Sequence, residues 1–260
     1  MTALVATDID GTLLRSDGTV SAETIAALRA LPVPYVLVTG RPPRWLDGLV
    51  EQVGAVGAAI ALNGALTYDL ATGAPLRTVA VAPAIALDCA RAIRAALPGA
   101  LFAAERTGHT PFAREPGYPS REPLNAPVEL PLAGLLAEPV LKLLCRSPSH
   151  PDADALHAAA TAACAAHPVE FTHSSGTIGL LEISAAGVHK ATALADYAAS
   201  LGIAPADVVA FGDGFNDVQM LTWAGRGIAV SNAHPAALAA ANEVTASNDQ
   251  DGVAQVLRRL

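Results

Sequence analysis

Asp8 and Asp10, one residue apart in Leu4-Val5-Ala6-Thr7-Asp8-Ile9-Asp10-Gly11-Thr12-Leu13-Leu14, end an apolar run of the kind that forms a buried strand. Alternate residues of an extended chain project to opposite faces, so the two carboxylates point differently. One can meet a substrate or a metal while the other turns in from the loop for acid–base work. The carboxyl end of a strand is also where open α/β sheets bind ligands. An Asp-Gly turn closing a hairpin is the plainer reading of the same residues. A second carboxylate group lies far downstream, where Val208-Val209-Ala210-Phe211 runs into Gly212-Asp213-Gly214-Phe215-Asn216-Asp217. Helix capping accounts for one of Asn216 and Asp217, but not for Gly-Asp-Gly and Asn-Asp together. Hard oxygen ligands gathered at one loop suit Mg²⁺, which takes one or two carboxylates and keeps waters for a substrate phosphate.

Two further segments add to the set. Tyr35-Val36-Leu37-Val38-Thr39-Gly40-Arg41-Pro42-Pro43 reads as a buried strand ending in a hydroxyl and a glycine before a Pro-started helix. A hydroxyl beside free backbone N–H groups at a helix start makes a phosphate cradle, although Thr-Gly ends many strands for no chemical reason. Lys190, in Gly187-Val188-His189-Lys190-Ala191-Thr192-Ala193-Leu194, falls in the first turn of a helical pattern. There it opposes the helix macrodipole, which makes sense if the ammonium faces an anion. A solvated surface lysine is the alternative.

The elements that must position these residues follow from hydrophobic periodicity. Strand-like runs at residues 3–8, 35–39, 57–62, 207–212 and 226–230 alternate with helical patterns at 21–31, 42–53, 188–201, 215–224 and 235–241. Near-continuous apolar strands alternating with helices predict a parallel sheet covered on both faces. Residues 80–184 interrupt that order with helical patterns at 84–96 and 152–166 and strand-like runs at 140–146, 169–173 and 178–184, so a second α+β unit is inserted into the first. Residues 98–139 hold eight of the 19 prolines and are expected to be irregular surface or a long loop. The connection after Asp10 is too short to carry a small lid, which leaves substrate selection to the long insert.

Composition narrows the function classes. At 260 residues the chain suits one domain with an insert, or two domains. A formal charge of −8, with no dense Lys/Arg run, lacks the electrostatic footprint of a nucleic-acid binder. Charged residues interrupt every long apolar stretch, so no membrane span is expected, and the start lacks the basic and apolar regions of a signal peptide. Cys89, Cys145 and Cys164 are odd in number and widely spaced. They are expected to be reduced, buried and structural in a cytoplasmic protein. The seven histidines form no metal-binding pattern.

Asp8-x-Asp10-Gly-Thr, Thr39-Gly40-Arg41, Lys190 and Gly212-Asp213-Gly-x-Asn216-Asp217 together resemble the four ordered motifs of the haloacid dehalogenase superfamily. The similarity runs the length of the chain, through Asn63-Gly64-Ala65 and Ser247-Asn248-Asp249-Gln250-Asp251-Gly252-Val253, and is nearest to the Cof-type sugar-phosphate phosphatases. It implies a Rossmann-like, doubly wound parallel α/β core at residues 1–79 and 185–260, with an inserted α+β cap at 80–184 that governs specificity. It implies Mg²⁺-dependent hydrolysis of small phosphorylated metabolites, sugar phosphates above all, through an aspartyl-phosphate. Asp8 would be the nucleophile and Asp10 the general acid and base. Asp8, the backbone carbonyl of Asp10 and Asp213 would hold Mg²⁺, with Asp217 joining directly or through water. Thr39, Gly40, Arg41 and Lys190 would hold the phosphate, and Asn216 would partner Lys190 or the phosphate.

The chain departs from this family pattern at His189 and Ala191, where a small residue and Gly are usual, and at Ser231, where Gly is common. None of these carries a charge that the chemistry needs. A phosphosugar mutase of the same superfamily and a non-catalytic phosphosugar-binding protein are the alternative readings. The expected partner is a small phosphorylated metabolite, with no nucleic acid and no membrane, bound by a monomer or weak homodimer.

Overall fold

The structure is a computed structural model and describes residues 2–107, 112–119, 128–147, 152–172 and 179–260. The chain divides into two compact units, Met1–Arg77 with His189–Leu260, and Thr78–Val188.

The first unit begins with β1 (Leu4–Thr7), every residue of which is buried. It continues through α1 (Ala22–Arg29), β2 (Tyr35–Val38), α2 (Asp47–Val53), β3 (Ala58–Ala61), β4 (Leu66–Asp69) and β5 (Pro75–Thr78). Ser21 starts α1 by accepting the Thr24 N–H at 3.0 Å. The helix expected over 42–53 is broken: a single 3-10 turn at Pro43–Trp45 precedes α2. Proline at a first helical position starts a turn readily, and α2 ends at Gly54 with φ +69°.

The second unit runs α3 (Pro83–Ala96), β6 (Leu101–Arg106), β7 (Phe112–Arg114), β8 (Val128–Glu129), α4 (Leu132–Leu135), β9 (Val140–Arg146), α5 (Ala153–Ala163), β10 (Val169–Thr172) and β11 (Leu181–Ala185). Its sheet has the order β10-β11-β9-β6-β7-β8. Strand alternation buries Phe102, Ala104, Leu143, Cys145, Leu181 and Ile183 in one core with Ala86, Cys89, Ala90 and Ile93 of α3 and Leu156 and Ala160 of α5. Residues of opposite parity include Lys142 and Glu182, a buried ion pair at 2.6 Å. The irregular surface expected over 98–139 is therefore corrected, because β6, β7, β8 and α4 lie there. The prolines fall between these elements rather than within them: Leu101–Arg106 is a proline-free run between Pro98 and Pro111. Residues 108–111 and 120–127 of that segment, and residues 173 and 178 of the strands expected over 169–173 and 178–184, lie outside the described residues.

Returning to the first unit, the chain forms α6 (Lys190–Ser200), β12 (Val208–Gly212), α7 (Val218–Trp223), β13 (Arg226–Val230), α8 (Pro235–Ala240), β14 (Glu243–Thr245) and α9 (Gly252–Leu257). The sheet order is β14-β13-β12-β1-β2-β3-β4-β5. Neighbours from β14 to β3 are parallel, and β4 reverses against β3. From β1 the chain winds one way through β2 and β3 and, after the insert, the other way through β12, β13 and β14. The crevice at such a reversal, beyond the carboxyl ends of the strands, is where doubly wound sheets bind ligands. Asp8, Thr39 and Asp213 each follow directly on one of the three strands that flank it. No helix among the described residues is long and apolar enough to cross a membrane.

Candidate active site

The site is assembled from turns that leave the central strands of the first unit. Asp8 follows β1, and its N–H donates to the Phe211 carbonyl of β12 at 3.0 Å. Residues 9–13 then form one wide turn, closed by the Leu14 N–H on the Ile9 carbonyl at 2.9 Å. Gly11 lets the turn lie this close to β12. Its φ is +81°, and a Cβ there would stand 2.4 Å from an Asp213 carboxylate oxygen, so any side chain would drive the two motif loops apart.

Lys190, the first residue of α6, is 1% exposed and donates to Asp8 Oδ1 at 2.5 Å and to Asp217 Oδ1 at 2.7 Å. The other Asp217 oxygen accepts the N–H groups of Asp213 and Gly214 at 3.0 and 2.8 Å. Asp213 accepts the Thr12 hydroxyl at 2.9 Å. One carboxylate oxygen from each of Asp8, Asp213 and Asp217 lies within 4.8 Å of the others. The α6 start is itself fixed by His189. Its ring Nδ1 accepts the Thr192 N–H at 3.3 Å, while its own N–H donates to the Thr192 hydroxyl at 3.2 Å. The departure from a small residue at 189 thus supplies a reciprocal cap to the helix that carries Lys190.

Three carboxylates share one ammonium here. Burial pushes the Asp8 carboxyl well above the usual carboxylate range against the pull of Lys190, with the charges of Asp217 and Asp213 adding to the rise. Burial, then Asp217, raises the Asp213 carboxyl. Burial works against the Lys190 charge, yet Asp217 and Asp8 outweigh it and hold the ammonium above the ordinary lysine range. A further cation would relieve this arrangement, and the all-oxygen donor set fits Mg²⁺.

Asp10 stands apart from the cluster. Its side chain is 58% exposed and forked by Arg41, with contacts of 2.8 Å from Nε and 2.5 Å from the terminal nitrogen. Thr39 is buried, and its hydroxyl accepts the Arg41 N–H at 3.1 Å. The amide of Asn216, expected to partner Lys190 or the phosphate, donates to Asn63 Oδ1 at 3.1 Å. The Lys190 ammonium bonds Asp8 and Asp217.

Asn63 was not among the expected site residues, and it links three of the site's pieces. It is 1% exposed and left-handed at φ +56°, directly after Leu62 at +54°. Its N–H donates to the Thr39 carbonyl at 2.9 Å, and a Cβ on Gly40 would sit 3.0 Å from its side-chain oxygen. Gly64 then packs on α6, where a Cβ would stand 2.6 Å from the His189 carbonyl. Asn232 is a second such residue, donating to the Gly11 carbonyl at 2.8 Å and accepting the Asn248 N–H at 3.0 Å. Only the Asn-Gly pair at 63–64 offers a local signal, that of a left-handed turn.

A family model described as haloacid dehalogenase-like hydrolase matches residues 5–257. A phosphoglycolate phosphatase of Halorubrum lacusprofundi is 30% identical over 256 residues, 98% of this chain and 96% of its own length. A 5-amino-6-(5-phospho-D-ribitylamino)uracil phosphatase of Bacillus subtilis is 27% identical, over 98% of this chain and 96% of its own. Among solved structures, the HAD subclass IIB sugar phosphatase BT4131 shares the fold with a TM-score of 0.83 at 20% identity, covering 99% of this chain and 98% of that one.

Proposed function

The chain belongs to the haloacid dehalogenase-like hydrolases, as an enzyme of their phosphatase class, and we propose that it hydrolyses small phosphorylated metabolites, sugar phosphates foremost, through an aspartyl-phosphate on Asp8. The observation that carries this reading is the buried Asp8 carboxylate, set against Lys190 and beside Asp213 at the sheet's reversal point. In the first step an Asp8 oxygen attacks phosphorus, and the bond from phosphorus to the leaving oxygen breaks. Asp10 delivers a proton to that oxygen, so the product leaves as an alcohol. In the second step Asp10 takes a proton from the water that attacks phosphorus, which frees inorganic phosphate and restores the Asp8 carboxylate.

Lys190 and the Thr39–Arg41 turn hold the phosphate oxygens, where charge spreads in the transition state. Asp8, the Asp10 backbone carbonyl and Asp213 would hold Mg²⁺. Both Asp217 oxygens already have partners, which supports its joining through water. The ion, when bound, offsets repulsion between carboxylate and phosphate.

Arg41 grips Asp10 in the free enzyme, so the acid–base step requires Asp10 to leave that fork and turn inward. Asp10→Asn should slow turnover by roughly 10²-fold or more, the scale of lost general acid–base catalysis. Mg²⁺ binding, followed by calorimetry, should stay close to that of the parent. A variant with parental turnover would remove Asp10 from the chemistry.

The substrate class is supported by what the relatives are named for: phosphoglycolate, a phosphoribitylamino-uracil and, for the structural neighbour, sugar phosphate. All are phosphate esters on small polar carbon chains. The test is inorganic phosphate release from a panel of sugar phosphates and other phosphorylated metabolites, with Mg²⁺ and no bisphosphate activator. One phosphate per alcohol formed is the expected result. An isomerised sugar phosphate without free phosphate, formed only when a bisphosphate is added, would identify a mutase instead.

All the reacting groups lie in the first unit, and this supports giving residues 80–184 the task of choosing the leaving group in a cytoplasmic enzyme. Replacing 80–184 by a short linker should abolish discrimination among sugar phosphates while slow hydrolysis of an aryl phosphate persists. A folded core that kept the parent's substrate ranking would place specificity elsewhere.

A further inference from the structure

The core of the second unit brings two thiols together. Cys89, on α3, and Cys164, which ends α5, lie 75 residues apart in sequence with their Sγ atoms 3.1 Å apart. Cys164 Sγ is also 3.5 Å from the Cys89 carbonyl oxygen. These contacts form a short chain in which the Cys164 thiol donates to that carbonyl and the Cys89 thiol donates to the Cys164 sulfur. The third cysteine, Cys145 on β9, shares the core. A buried cysteine usually packs as a small hydrophobe, and side-chain packing alone does not require two sulfurs to meet. A bond of about 2.05 Å would need them to approach by only about 1 Å.

We propose that Cys89 and Cys164 are an oxidisable pair that closes to a disulfide when the protein meets a peroxide. The Cys164 sulfur takes one oxygen from the peroxide as the O–O bond breaks, giving a sulfenic acid and, with hydrogen peroxide, one water. The Cys89 sulfur then attacks that sulfur, and the hydroxyl departs with the Cys89 proton as a second water. In sum, two thiols and one peroxide yield one disulfide and two waters. Cys164 is the better first nucleophile, since the hydrogen bond from Cys89 lowers its thiol below the ordinary value while the same bond raises Cys89. The residues are only 0% and 2% exposed, so a small peroxide reaches them slowly and bulky thiol reagents are kept out of the folded protein. The bond would tie α3 to α5 and resist unfolding of the second unit, because it closes a long loop in the unfolded chain.

The test is to treat the full-length protein with hydrogen peroxide, quench, denature, alkylate and digest with trypsin. The three cysteines then fall in separate peptides, 78–91, 147–190 and 143–146. Titratable thiols should drop from three to one. Peptides 78–91 and 147–190 should appear joined and two hydrogens lighter, with Cys145 alkylated. Oxidation should also raise the thermal midpoint, and dithiothreitol should reverse the rise. Cys89→Ala should form no link and carry its oxidation on Cys164 alone, Cys164→Ala should keep both remaining thiols, and Cys145→Ser should react as the parent does. Survival of all three thiols, a link to peptide 143–146, bridging only between chains, or a sulfinic acid on Cys164 with Cys89 untouched would each overturn the proposal.

Discussion

Asp8→Asn is expected to abolish turnover, by on the order of 10⁴-fold or more, because a covalent nucleophile has no substitute within the site. The variant should form no acid-stable-isotope-labelled phosphoenzyme and give no burst of alcohol product. Its stability should move the other way. The Asp8 carboxyl is raised by burial above its value in the unfolded chain, so the folded state holds its proton to higher pH. Stability from this group is therefore present at low pH and lost as pH rises through the folded value, the cost of burying this carboxyl. Asparagine removes that cost while Lys190 keeps its bond to Asp217. A thermal midpoint at or above the parent's, combined with lost activity, is the signature expected of a reactive group held under electrostatic stress. Near-parental turnover would overturn the covalent mechanism.

Removal of Mg²⁺ should have an effect as large. Chelation should stop phosphate release, and added Mg²⁺ should restore it; full activity in excess chelator would rule out the metal's part. A binding readout is independent of turnover. Mg²⁺ should raise the thermal midpoint, since a ligand that binds only the folded state stabilises it. Burial raises the Asp8 and Asp213 carboxyls, so protons compete with the metal for them. The midpoint gain should accordingly be greater at mildly alkaline than at mildly acidic pH.

Asp8, Asp213 and Lys190 were legible in the amino-acid sequence because each stands at the end of an apolar run or the start of a helical one. In a parallel sheet, such positions converge on one edge. The parallel strands from β1 to β3 and from β12 to β13 were legible for the same reason: burial on both faces leaves continuous apolar runs. The strands β4, β5 and β14 were not. The partly exposed Pro75–Thr78 carries no such run, and Glu243–Thr245 is only three residues long. Leu101–Arg106 was hidden among prolines because the count of prolines was informative and their positions were not. The fork of Arg41 on Asp10 and the pairing of Asn216 with Asn63 join side chains 31 and 153 residues apart, and neither spacing nor residue type encodes such a meeting. His189 looked like a departure from pattern until its ring was seen capping the helix it precedes.

Ties from the far end of the chain hold the segment from Gly11 to Arg15 behind Asp8. Thr12 meets Asp213 across 201 residues, Asn232 meets Gly11 across 221, Asn248 meets Leu14 across 234, and Arg15 meets Asp251 across 236. During synthesis Asp8 therefore leaves the ribosome some two hundred residues ahead of the partners that fix its turn. The second unit, whose contacts lie within 78–188, is complete well before then and can fold as the chain emerges. The nascent β1 must wait, unpaired on its β12 side, until some two hundred further residues have been added. That interval is set by translation speed, and the ties from Asn248 and Asp251 form only after it has ended.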